Sequence, residues 1–332
     1  MILVTGATGH IGNVLVRELV ARGERVRALV LPKEDRSSLD GLDVEVMEGN
    51  VLDPASLERA FAGVSDVFHL AGIISIMPGE NEQVQRVNVE GTRNILQAAT
   101  NAGVHRLVYT SSIHAFFRAP HGVTIDESIP FDPNNHVGAY DRSKALATLV
   151  VQEAVRQGLD AVIVCPTGVI GPYDYLGSEM GNIIKGAVEH RPQLYIDGAY
   201  DFVDVRDVAQ GMLLAYDKGR TGEVYILSGE QIEIEQLINL VQEVSGNHTT
   251  RIKFPQWLAR FVTIFSPTYY RLTRVKPRFT PYSLETLRSN SVISNKKAKR
   301  ELGYSPRSIR ESVVETVKWL TNQKQALSDG IE

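Results

Sequence analysis

Short apolar runs alternate along the chain with stretches in which apolar positions recur every three or four residues. Ile2-Leu3-Val4 is the first run, and behind it Ile11, Leu15 and Leu19 mark one face of a helix. Runs at 26–31, 44–46, 64–70, 107–109 and 161–165 have the length of strands. Between them the spacing predicts a short helix over 56–61 and longer helices over 88–102 and 139–156. Strands that alternate with helices imply βαβ units and a parallel sheet. The pattern loosens after Pro172, where Tyr-, Pro- and Gly-rich stretches at 171–200 and 248–285 interrupt it. A strand at 202–205, a helix over 207–216 and a strand at 224–227 lie between these stretches, and a helix over 309–320 closes the chain. The fold class is therefore α/β. Residues 1–170 form a doubly wound parallel sheet to which 201–228 returns; 171–200 and 229–332 form a smaller, irregular lobe. The 332 residues fit that division at roughly 100–200 residues per domain.

Composition narrows the class. Apolar residues make up 43% and charged residues 22%, ordinary for a globular chain. The balance of 35 basic against 39 acidic residues gives no electrostatic case for binding nucleic acid. The single cysteine, Cys165, rules out an internal disulfide and a Cys-rich metal site, and it suits a reducing compartment. Residues 1–6 read as a core strand rather than a signal segment. No run approaches the roughly 18 apolar residues of a membrane span, and the richest apolar patch, 257–265, is short and carries Arg260. The expectation is a cytoplasmic protein with no membrane span and no metal.

The chemistry starts at residues 6–12, Gly-Ala-Thr-Gly-His-Ile-Gly, which follow a strand and open a helix. Gly6 permits the tight turn, Gly9 lets backbone approach a pyrophosphate, and Gly12 lets helix and strand pack closely. Thr8, His10 and Ile11 complete this loop, whose helix N-terminus supplies free N–H groups to an anion. This is a Rossmann dinucleotide site in outline. The second strand should read the adenosine ribose, yet no acid ends it; Leu31 stands there, with Lys33 and Arg36 just beyond. The balance leans to NADP over NAD. Asn50 and Val51, after the third strand, fall where an adenine edge is recognised.

Tyr140 and Lys144 are four apart on a predicted helix and share one face. An ammonium beside a phenol favours the phenolate and lowers its pKa, which makes a usable acid or base. Thr110-Ser111-Ser112 ends a strand about thirty residues earlier, where a hydroxyl can polarise a carbonyl. Taken with the Thr5–Gly12 loop, these residues resemble the extended short-chain dehydrogenase/reductases, the NAD-dependent epimerase/dehydratase superfamily. Further matches follow in order. They are His69-Leu70-Ala71-Gly72, Asn88-Val89-Glu90-Gly91-Thr92, Tyr140-Asp141-Arg142-Ser143-Lys144, Pro166-Thr167-Gly168-Val169-Ile170-Gly171-Pro172, the segment 202–208 and Glu301-Leu302-Gly303-Tyr304-Ser305-Pro306.

The resemblance implies roles. Ser112 hydrogen-bonds the reacting oxygen, Tyr140 passes the proton, and Lys144 binds the nicotinamide ribose and depresses the Tyr140 pKa. Leu70, Ala71, Gly72, Thr110, Pro166, Thr167 and Val169 line the cofactor. Asn88 either braces helix and strand or joins a proton relay. Within the family, the chain is similar to the dihydroflavonol reductase and 3β-hydroxysteroid dehydrogenase branch. The acid pair of a sugar dehydratase is absent at Ser111-Ser112-Ile113, and Ala199-Tyr200 stand where epimerases carry an Arg. The implied activity is hydride transfer to or from a mainly apolar ketone, aldehyde or secondary alcohol. A nucleotide-sugar epimerase with bound NAD and a non-catalytic NAD(P) sensor are the alternatives.

Ile73, His114, Phe116, Tyr173 and Tyr175 sit just past strand ends and are the substrate candidates. The aromatic cluster from Phe254 through Trp257, Phe261 and Phe265 to Tyr269 and Tyr270 either lines the pocket, packs the lobe or touches a membrane. The family pattern also allows a homodimer through the helices at 88–102 and 139–156, with Leu146, Leu149 and Val150 as its apolar face. A monomer is the other possibility.

Overall fold

The computed structural model describes residues 1–273 and 280–329. Its first half runs β1 (Ile2–Thr5), α1 (His10–Ala21), β2 (Val26–Val30), β3 (Glu45–Glu48), α2 (Pro54–Phe61), β4 (Asp66–His69), α3 (Glu82–Gln85), α4 (Gly91–Asn101), β5 (Arg106–Thr110), α5 (Ala139–Arg156) and β6 (Ala161–Pro166). The second half continues with β7 (Gly168–Ile170), α6 (Glu179–Val188), β8 (Gln193–Tyr195), β9 (Ala199–Asp204), α7 (Val205–Lys218), β10 (Val224–Leu227), β11 (Glu230–Glu233), α8 (Ile234–Ser245) and β12 (Arg251–Lys253). It ends with α9 (Gln256–Thr273), α10 (Pro281–Arg288), α11 (Lys296–Leu302) and α12 (Ile309–Asp329).

Seven strands form one parallel sheet in the order β10-β6-β5-β4-β1-β2-β3. The chain winds outward from β1 in one direction and from β4 in the other. That reversal leaves a crevice beyond the strand ends, where doubly wound sheets bind ligands. Strands β1 and β6 are buried along their whole length, which is why they read as unbroken apolar runs. Leu15 and Leu19 of α1 pack with Val208 and Met212 of α7 on one face. Leu57, Ile95, Leu96, Ala147 and Val151 from α2, α4 and α5 cover the other.

The expected domain boundaries need adjustment. β7 and β9 leave the large sheet and pair with each other and with β11 in a separate three-stranded sheet. Residues 168–170 and 201–204 therefore belong to the lobe. Conversely, α11 returns to the main core through Ala298 and Leu302. From the same helix Lys297 donates to the Val224 carbonyl at 2.7 Å, while Glu127 accepts from Ile226 N at 2.8 Å, so the free edge of β10 is covered.

The lobe has its own core of Ile170, Ile184, Phe202, Leu237, Ile238 and Val313, closed by α6, α8 and α12. The cluster around 254–270 is not that core. Trp257, Phe261, Ile264 and Phe265 lie on the outside of α9, and the Tyr269 side chain is outside the described residues. Of the candidate dimer residues, Leu146 and Val150 pack against the chain's own core and Leu149 is exposed.

Candidate active site

The strand ends open into a cavity of about 1390 Å³ between sheet and lobe. Gly6, Thr8, Gly9, His10, Ile11 and Gly12 form one wall of it. Gly6 has φ +69°, and a Cβ there would press on Ala71 N at 2.8 Å. A Cβ on Gly12 would collide with the Gly6 carbonyl oxygen. Only glycine lets β1 turn this tightly into α1. Gly9 caps α1 with no side-chain hydrogen bond, and the first turn carries no acid. By contrast, side chains close α2, α6 and α7. The first N–H groups of α1 are thus left for a ligand. The donor set and the glycine cradle fit the pyrophosphate of a dinucleotide.

Thr5 fixes the neighbouring wall. Its Oγ1 accepts from Leu70 N at 3.2 Å and Ala71 N at 3.1 Å. The same hydroxyl bonds His69 Nδ1 at 2.7 Å, and His69 Nε2 reaches Thr92 Oγ1 at 3.0 Å. Burial drives the His69 pKa down to about 3, with the Lys144 charge adding to it, so the ring is a neutral strut. Asn88 sits in a π-helical turn over Arg86–Glu90. Its amide accepts from Ile73 N at 2.7 Å and donates to Ile73 O at 3.0 Å and Ser143 Oγ at 2.8 Å. These bonds tie the loop after β4 to α5, so of its two expected roles Asn88 is engaged as a brace.

Ser112, Tyr140 and Lys144 come together at the floor of the cavity, all buried. Lys144 Nζ donates to Thr110 O at 2.9 Å and lies 5.5 Å from the Tyr109 ring centre. Its pKa is pulled down to about 8 by burial. The expected lowering of the Tyr140 pKa is not what the site produces. Burial pushes the phenol up to about 12, against a smaller downward pull from the Ser112 hydroxyl. Lys144 is turned to a backbone carbonyl, desolvation dominates with the Asp141 charge adding to it, and Tyr140 holds its proton.

The rest of the expected set divides. Asn50, Val51, Leu70, Ala71, Gly72, Ile73, Thr110, His114, Pro166, Thr167, Val169 and Leu31 line the cavity. Phe116 does not: it is 2% exposed and packs on Phe131 in the core, ring centres 4.7 Å apart. Tyr173 and Tyr175 also point away from it. Tyr173 turns back with φ +68° and packs under the Arg17 guanidinium, and Tyr175 meets the Trp319 ring at 5.4 Å. Lys33 and Arg36 fall outside the lining as well. Lys33 sits in a left-handed turn, and Arg36 faces Glu48 at 3.6 Å.

That turn instead carries Glu34 into the cavity wall. Its carboxylate accepts from Thr8 Oγ1 at 2.6 Å and Leu31 N at 2.7 Å. Spacing alone missed it because the acid stands three residues past the expected position and the loop curls back. Also missed was a buried polar cluster beside Tyr140. His114 Nε2 shares a 2.7 Å hydrogen bond with Tyr200 OH, and its ring meets that of Tyr140 edge-on at 6.0 Å. Asp141, fully buried, accepts from Arg118 at 2.9 Å and Tyr282 OH at 2.6 Å. Burial lowers the His114 pKa, leaving a neutral ring in this cluster.

The profile of the NAD dependent epimerase/dehydratase family matches residues 2–228. The chain belongs to this family. Among this epimerase/dehydratase member's relatives is "Sterol demethylase protein B" of Methylococcus capsulatus, 39% identical over 96% of this chain and 97% of that one. A "Putative dihydroflavonol 4-reductase" of Synechocystis sp. is 33% identical over 96% of this chain and 94% of its own. A "3 beta-hydroxysteroid dehydrogenase/Delta 5-->4-isomerase" of Mycobacterium tuberculosis is 30% identical over 92% and 86%. The solved structure of gox2253 superposes with a TM-score of 0.83 at 35% identity, covering 97% of this chain and 98% of that one. As an oxidoreductase of the NAD dependent epimerase/dehydratase family, the chain thus resembles both dihydroflavonol reductase-like and 3β-hydroxysteroid dehydrogenase-like proteins.

Proposed function

We propose that the protein interconverts a mainly apolar ketone or aldehyde and its alcohol, with Ser112, Tyr140 and Lys144 as catalytic residues. The observation that carries this reading is a protonated, buried phenol at the floor of a cavity whose lobe side is apolar. Leu176, Met180, Ile183, Ile196, Tyr200 and Leu284 line that side. Besides Lys144, three cations line the cavity and each faces a carboxylate: Arg86 lies 3.8 Å from Glu90, while Lys185 and Arg191 share Glu189 at 3.9 and 2.7 Å. Such pairing suits an apolar substrate better than a sugar diphosphate, which needs cations free to pair with phosphate.

Bound nicotinamide dinucleotide supplies or accepts the hydride. The Ser112 hydroxyl donates to the substrate carbonyl oxygen and polarises it. Tyr140 gives its phenolic proton to that oxygen as the alcohol forms. Lys144, anchored on Thr110 O, keeps its remaining N–H bonds for a ribose hydroxyl and its charge for the phenolate left behind. Neutral His114 and the Asp141 cluster hold the Tyr140 ring in place.

We further propose NAD as the preferred cofactor, in place of the NADP lean read from Lys33 and Arg36. A 2′-phosphate near Leu31 would meet the Glu34 carboxylate, whereas a ribose hydroxyl can donate to it. Glu34→Gln should raise kcat/KM with NADPH relative to NADH; an unchanged ratio removes Glu34 from cofactor choice. The main reading is tested by following NADH oxidation with apolar ketones, including 3-ketosteroids, and with UDP-sugars. Ketone-dependent oxidation is expected. Interconversion of UDP-sugars with no net loss of NADH would overturn it in favour of an epimerase.

A further inference from the structure

Helix α9 wears its apolar residues on the wrong side. Trp257, Phe261, Ile264, Phe265 and Leu272 follow each other at helical spacing and are 71%, 59%, 65%, 61% and 80% exposed. The residues turned to the protein are small or polar: Ala259, Thr263 and Ser266, all buried. A helix folded for water alone would be arranged the other way round. Scattered exposed apolar residues are common, but a continuous stripe of large ones marks a contact face.

From this face we propose that α9 docks on an anionic lipid surface, lying in its plane. No helix among the described residues is long and apolar enough to cross a membrane. An in-plane helix needs less: an aromatic face, flanking cations and about 27 Å of length for 18 residues. The charge fits. Every charged residue between Glu243 and Glu285 is Lys or Arg, seven in all, in a chain whose net charge is −4. Arg260 is exposed beside the stripe. A second copy of the chain would suit this face poorly, because a two-fold contact sets each basic segment against itself. An anionic bilayer offers both the apolar interior and the opposite charge.

The position of α9 adds a consequence. It follows β12, whose Ile252 is the register partner of Leu194 on β8. Leu194 lines the cavity and, with Ile74 and Leu176, is an exposed apolar residue at its rim. On the other side of α9, Thr280 Oγ1 donates to Ile76 O at 2.6 Å, and Ile76 also lines the cavity. Docking would bring the mouth of the cavity to the lipid. This placement rests on the helix and not on the reaction assigned to the site.

Flotation of the whole protein with phosphatidylcholine vesicles, with and without phosphatidylglycerol, tests the proposal. The protein should rise with the phosphatidylglycerol vesicles, less so at high salt, and Trp257 emission should move to shorter wavelength. The shift should be absent in Trp257→Phe, which keeps Trp319. Phe261→Glu with Phe265→Glu should cut flotation about tenfold or more, with NADH affinity unchanged as proof of folding. Arg260→Glu, at an exposed position, should weaken binding to the anionic vesicles if the double variant does not fold. Wild-type protein that stays down with both vesicles at low salt overturns the proposal. So does a stable dimer in light scattering that Phe261→Glu with Phe265→Glu dissociates, since a second copy would then cover the stripe.

Discussion

Burial sets the protonation of Tyr140 and Lys144, the two residues proposed to handle the proton. Tyr140 holds its proton to about pH 12, so it is a donor throughout the working range, while Lys144 gives up its proton near pH 8. The pH profile of kcat/KM reports groups in the free enzyme. For ketone reduction it should therefore fall as pH rises through about 8, the limb belonging to Lys144. A flat profile up to pH 10 would mean that the ammonium is not required. Tyr140→Phe keeps the ring packed against His114 and removes the hydroxyl with its proton. It should lower kcat by about 10²–10⁴-fold with NADH affinity nearly unchanged in calorimetry. Wild-type turnover in that variant would remove Tyr140 from the reaction. The clustered roles of Glu34, Asp141, Tyr200 and Tyr282 belong to the same scale and were invisible along the chain. His114 and Tyr282 are 168 residues apart in sequence yet share one buried cluster.

Among elements, legibility followed length and burial. Helix α5 was read over the residues it occupies, because eighteen residues give several turns of apolar recurrence. The buried strands of the large sheet were read from their apolar runs. Strands β7, β8 and β12 have three residues each, too few for any period to show, so the sequence predicts only an irregular lobe there. For the aromatic stretch that forms α9 the sequence leaves pocket, lobe and membrane all open, because spacing cannot say which side of a helix meets the protein. Tyr173 and Tyr175 were placed in the pocket by their position after a strand, and a left-handed residue turned them away from it. The β1–α1 turn, by contrast, was legible because its geometry leaves no alternative to glycine. Gly12→Ala should test it. The added Cβ collides with the Gly6 carbonyl, so the turn must open, at a cost of roughly 1–3 kcal/mol typical of overpacking. Thermal denaturation should give a lower Tm and calorimetry a weaker NADH affinity. Unchanged values of both would mean that α1 does not have to pack this closely on β1.

At the scale of the whole molecule, the buried polar groups that hold the cavity walls also couple folding to pH. His69 joins β1 to the helix after β4 and stays neutral down to about pH 3, whereas the unfolded chain protonates it near 6.5. As pH falls below 6.5 the unfolded state binds the extra proton, so stability is lost, by about 1.4 kcal/mol per pH unit for one such group. His114, lowered by burial, acts in the same direction. Asp201 opposes them. Burial raises its pKa to about 6, so the native state takes up a proton there that the unfolded state takes only near 3.8, and stability rises as pH falls through that interval. The opposition prevents a bare Tm profile from isolating either effect, but a variant can separate them. His69→Gln loses stability at every pH through its broken hydrogen bonds, and it also removes one protonation step from the unfolded chain. Its Tm should therefore lie closest to wild type near pH 4 and furthest below it near pH 7. Parallel curves across that range would mean that His69 is protonated inside the folded protein, and that the strut between the two walls of the cavity carries a charge.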